Sequence, residues 1–73
     1  MKYIIFNFNA PIIFPDYITH CEVKIDIKYF IPTSAGHLTI KGNKVKIYGE
    51  SESIGLKPKP EDKELLEKLI YDK

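Results

Sequence analysis

Two short stretches carry most of the side chains that could do chemistry. IPTSAGH, residues 31–37, brings Thr33, Ser34 and His37; GESES, residues 49–53, brings Glu50, Ser51, Glu52 and Ser53. Serine, imidazole and carboxylate are the parts of a hydrolytic triad: the imidazole takes the hydroxyl proton and the carboxylate orients the imidazole. Such a triad is defined by geometry, and no GxSxG elbow accompanies these residues, so they specify at most a small hydrolase-like site. The same seven residues can instead form the polar rim of an interaction surface. The choice turns on whether the fold brings them together.

Two further sets have usable chemistry. His20, Cys21 and His37 are zinc-ligand types, but no CxxC or HxxxH spacing frames them. On an extended chain the neighbours His20 and Cys21 point to opposite faces, so no metal and no cofactor is expected. Lys41, Lys44 and Lys46, with Tyr48 as a stacking ring, form a basic and aromatic strand face of the kind that holds single-stranded nucleic acid. Three lysines make a small patch, and Glu50 and Glu52 lie near its far end.

The elements that must position these residues can be read from period and turn chemistry. HLTIK (37–41), GN and KVKIY (44–48) read as a hairpin, with Gly42 first in a type II′ turn. A two-residue loop pairs Ile40 with Val45 and Leu38 with Ile47 on one face, and Thr39 with Lys46 and His37 with Tyr48 on the other. Extending that register sets Gly36 opposite Gly49 and Ala35 opposite Glu50. IPTSAG and GESES then leave the sheet side by side. The facing glycines leave bare backbone on which an aromatic ring of the same chain, Phe or Tyr, is expected to pack. Ile54 and Leu56 are expected to anchor the chain back onto the core.

KYIIFNFN (2–9) reads as a strand with apolar residues on both faces. Pro11 and Pro15 bracket Ile12–Phe14, which is expected to be a loop or a sheet edge. CEVKIDIKY (21–29) alternates apolar and charged residues without a break and reads as a half-buried strand, with Lys24 and Asp26 on its solvated face. A helix is expected from about Pro60 to Tyr71: Pro60 suits its first position, Glu61 and Asp62 complement its positive end, and Leu65, Leu66, Leu69 and Ile70 form its apolar stripe. The fold class is therefore α+β, a small antiparallel sheet of about four strands with one C-terminal helix on one face.

Size and charge limit the functions this fold can have. The 73 residues make a single domain, which buries only roughly 60% of its unfolded surface. One cysteine allows no internal disulfide, and the N-terminal apolar residues exceed what one helix can cover. Both points favour a homodimer whose contact is the N-terminal segment and the sheet. The net charge is +1, and every basic residue is lysine, which argues against a broad nucleic-acid or membrane surface. Asn7, Asn9 and Pro11 interrupt the first apolar run, so neither a signal peptide nor a membrane span is expected, and the location expected is cytoplasmic.

PTSAGHLTI followed by VKIYGESESIGLKPKPEDKELL, within residues 32–66, resembles short uncharacterised proteins encoded by phages and prophages. The resemblance implies an interaction role and transfers no functional residue. The favoured expectation is thus a small protein-interaction module, homodimeric, with the loop end around GESES facing an unknown protein partner. Weak binding of single-stranded nucleic acid through the hairpin lysines is second, and a small hydrolase-like site near GESES is third.

Overall fold

The computed structural model describes residues 1–27 and 29–71, and only the backbone of Asp26. The α+β architecture forms as expected. Its elements are β1 (Lys2–Phe6), β2 (Ala10–Phe14), α1 (His20–Asp26), β3 (Pro32–Lys41), β4 (Lys44–Tyr48) and α2 (Asp62–Tyr71). The strands make one antiparallel sheet in the order β2-β1-β3-β4. Among the described residues, no helix is long and apolar enough to cross a membrane.

The β3–β4 hairpin has the register that its sequence demands, from Lys41 opposite Lys44 to His37 opposite Tyr48. Gly42 takes φ +58 while Asn43 does not take a positive φ, which is the type II′ pattern. Beyond Tyr48 the two strands part. The Ala35 N–H is met by the Lys57 carbonyl at 3.4 Å, so Lys57, not Glu50, lies beside it. A Cβ at Gly36 would lie 2.7 Å from Pro58 Cγ, so the bare backbone is covered by a proline ring rather than an aromatic one.

β1 stops at Phe6, because Asn7 and Phe8 both take positive φ and turn the chain back. Asn tolerates that conformation; Phe does so under strain. The turn is held from outside by Phe8 N–H donating to Thr33 Oγ1 at 2.9 Å and by the Lys59 ammonium 4.5 Å above the Phe8 ring. The returning chain is β2, an edge strand that contains Ile12–Phe14. Pro11 occupies an outward-facing position on that edge, where its missing N–H removes no ladder bond.

Residues 20–26 correct the strand expected over 21–29; they form α1, and Lys28 lies outside the described residues. Thr19 caps this helix. Its Oγ1 accepts from Glu22 N–H at 3.1 Å, and the Glu22 carboxylate accepts from Thr19 N–H at 3.4 Å, a reciprocal capping box. His20, Val23 and Ile27 then face the sheet at helical spacing, while Ile25 is left exposed. The alternation of Val23, Ile25 and Ile27 imitates a strand, but the cap decides the local structure.

The sheet is covered on both faces. On one face Tyr3, Ile5, Leu38 and Val45 pack with Leu66 of α2, flanked by Leu65 and Ile70; Leu69 is exposed. On the other, Ile4, Phe6, Phe14 and Ala35 pack beneath Val23, Ile27, Ile54 and Leu56. The strand apolar on both faces is therefore an interior strand. The cover expected from a second subunit comes from α1 and from Ile54 and Leu56 of the same chain.

A buried carboxylate seats α2. The helix begins at Asp62, two residues after Pro60, and Asp62 is 1% exposed. Its Oδ2 accepts from Tyr3 Oη at 2.8 Å and from Lys59 N–H at 2.9 Å; its Oδ1 accepts from Ser34 Oγ at 2.8 Å. Burial, followed by the bond to Asp62 and its charge, pushes the Tyr3 hydroxyl far above its ordinary range, so it stays a donor. A lone carboxylate would not tolerate this depth, but three donors replace its water.

Asp62→Ala should cost about 3 kcal/mol, because it strands two buried hydroxyl donors at once. Ser34→Ala removes one donor from an acceptor that keeps two others, and should cost about 1 kcal/mol. Urea unfolding of the two variants measures both; equal losses would contradict the asymmetry.

Candidate functional site

The structure gathers five of the seven residues expected to share a rim. His37, Glu50, Ser51, Glu52 and Ser53 line an open hollow of about 320 Å³, together with Lys2, Thr19 and His20. Thr33 and Ser34 are not part of it. Thr33 Oγ1 accepts from Phe8 N–H and donates to the Ile5 carbonyl at 3.1 Å, at the opposite end of β3. Ser34 points to the α2 side and is committed to Asp62. The reason is strand alternation: Ser34 and His37 are three positions apart, so they lie on opposite faces of β3.

The two imidazoles that line the hollow belong to a row of four rings. Phe14 meets His20 edge-on at 5.3 Å, His20 meets His37 edge-on at 5.6 Å, and His37 stacks on Tyr48 at 5.6 Å and 22°. The rim is a miniature hairpin. Ser51 N–H donates to the Leu56 carbonyl at 2.8 Å and Leu56 N–H donates back at 3.1 Å. Ile54 and Leu56 anchor this loop to the core, as expected, while Glu50 and Glu52 stay exposed. A Cβ at Gly49 would come within 2.9 Å of the His37 ring, and its φ is +69, so only glycine lets the chain pass there.

His20 is the residue that sequence reasoning placed on the wrong element. It is 4% exposed, and its Nε2 lies 2.9 Å from the Gly36 carbonyl. A carbonyl can only accept, so Nε2 carries the proton and donates. Burial depresses the His20 pKa; the Gly36 bond opposes this, and His37 and Lys2 add to it. The signal that could have located His20 was the Thr19-x-x-Glu22 spacing, which puts position 20 in the first turn of a helix. Lys2 also lies here, its ammonium donating to the Ile18 carbonyl at 3.1 Å.

This arrangement does not include the nucleophile–base bond of a triad. Among the described residues no hydrogen bond joins His37 to Ser51 or Ser53, and the Ser51 hydroxyl instead meets Ser53 Oγ at 3.4 Å. His20 is turned inward from α1 while Cys21 is half-buried, and no metal-binding group of His, Cys, Asp and Glu is found among the described residues. The hollow offers hydroxyls, carboxylates and one amine to a polar group.

The lysine face is also on the molecule. Thr39, Lys41, Lys46 and Tyr48 border an open hollow of about 400 Å³ on the outer face of the hairpin. Lys44 is exposed on the same strand, at the turn. No protein family, curated protein or solved structure matches the chain.

His20 makes stability depend on acid. The unfolded imidazole binds a proton at a higher pH than the folded one, so stability is full at neutral pH and falls as pH drops below about 6.5. His20→Gln keeps an amide N–H that can reach the Gly36 carbonyl but cannot titrate. Thermal melts between pH 7 and 5 should show a decline in the native protein that the variant flattens; identical slopes would contradict the assignment.

Proposed function

We propose that the chain is a protein-interaction module that acts as a homodimer and presents the GESES loop end to a partner. The subunit contact differs from the one expected from sequence, since the N-terminal strand is already buried within the chain. The carrying observation is an apolar patch elsewhere. Ile25 in the last turn of α1 and Tyr29, Phe30 and Ile31 in the connection to β3 are exposed, Tyr29 at 95% and Ile31 at 70%. Phe8, 67% exposed, adjoins them, because Asn7 and Ile31 exchange two hydrogen bonds. Five large apolar side chains so close together are unusual on a monomer of this size, and a second copy could bury them.

Light scattering behind a sizing column should give the mass of two chains at micromolar concentration. Tyr29→Lys with Ile31→Lys should give the mass of one chain with unchanged circular dichroism. A native protein that elutes as a single chain at that concentration contradicts the dimer.

A second reading has its own observation, the hollow among Thr39, Lys41, Lys46 and Tyr48. It could hold a stacked base beside a phosphate. If so, a labelled oligothymidylate should bind at low salt, and Lys41, Lys44 and Lys46 changed together to Ala should weaken it and flatten its salt dependence. No binding at low salt ends this reading.

A further inference from the structure

We propose that the free edge of β4, with the lysine-ringed groove beside it, binds an extended acidic segment of a partner protein as an added strand. The site uses none of the apolar-patch residues, so it stands or falls independently of the homodimer.

Backbone direction comes first. Lys44, Lys46 and Tyr48 are the positions whose backbone groups pair with β3 in a two-residue hairpin. Val45 and Ile47 therefore turn their N–H and C=O groups outward, and β4 is the last strand of the sheet. An exposed edge of this kind is a template for strand addition unless something blocks it. Among the described residues it is blocked at one point only: the Glu67 carboxylate of α2 accepts from Val45 N–H at 3.0 Å. The chain thus already shows an acidic side chain meeting an edge donor. The Ile47 groups, one step along, have no strand beside them among the described residues.

Shape and charge then specify the occupant. A groove of about 640 Å³ runs between this edge and the start of α2, with Val45, Ile47, Pro58 and Pro60 supplying its apolar surface. Alternate side chains of an extended peptide would enter it while the others face water. Lys41, Lys44, Lys46, Lys59 and Lys63 line the same groove, and among the described residues no acidic one does. Lys59 is engaged with Phe8, which leaves four lysines for the ligand. In a protein of net charge +1 this is a segregated cationic rim, and it favours carboxylates. A nucleic-acid strand fits less well, because among the described residues no aromatic ring on which a base could stack lines the groove.

The test uses the full chain, labelled with ¹⁵N, and a peptide of about seven residues alternating glutamate with valine. Titration should shift the Ile47 amide resonance. Lys46→Glu with Lys63→Glu, checked for fold by circular dichroism, should weaken binding roughly tenfold. Methylating alternate peptide amides should abolish binding in one frame and preserve it in the other, because only one edge of the peptide pairs. Equal binding of a peptide with lysine in place of glutamate, or equal binding of both methylated frames, overturns the proposal. So does the absence of any Ile47 shift at millimolar peptide. Oligothymidylate that shifts Ile47 where the acidic peptide does not would assign the groove to nucleic acid instead.

Discussion

The carboxylate of Asp62 is the constraint on which the rest of the molecule depends. It lies beneath the start of α2, out of water, and takes hydrogen bonds from β1, β3 and the chain just before the helix. Each bond fixes one element relative to the others, and at this depth the three together replace the water that the carboxylate has lost. The bond to Lys59 sets the path of residues 57–60, which lays Pro58 over Gly36 and Lys57 beside Ala35. Further along, Glu67 on Val45 and the Tyr71 hydroxyl on the Gly42 carbonyl at 2.9 Å tie the helix to the hairpin. The cationic groove exists because the helix start and the β4 edge are held apart in this way.

What could be read from the sequence was what depends on neighbours in the chain. The β3–β4 register followed from a two-residue turn and from apolar pairs that had to share a face, and both are local facts. The apolar stripe of α2 was equally plain, although Leu69 proved exposed. The second strand was misread because Val23, Ile25 and Ile27 satisfy period two, while the helix uses His20, Val23 and Ile27. Two patterns fit one segment, and the capping box from Thr19 to Glu22 chose between them. β2 was left between a loop and a sheet edge by Pro11 within it and Pro15 just after it, since an edge strand tolerates proline and an inner strand does not.

The candidate site was legible where it lay within the hairpin and its exit. His37 and Glu50–Ser53 meet because the register brings them to one end of the sheet. Ser34 was misplaced because its side chain belongs to the other face, and its partner Asp62 is 28 residues away. Tyr3 is 59 residues from the same carboxylate. Sequence gives no sign that an aspartate in a helix's first turn will be buried; complementing the helix dipole is the ordinary role there. The cationic groove was half visible, as three hairpin lysines. Lys59 and Lys63 join them only through the packing of α2.

A double-mutant cycle between Tyr3→Phe and Asp62→Asn, followed by urea unfolding, tests the central role of the buried carboxylate most directly. If the hydroxyl and the carboxylate act as a unit, the two losses will fail to add, with a coupling on the order of 1–2 kcal/mol. Losses that add to within about 0.4 kcal/mol would show that each residue acts alone, and would contradict the account.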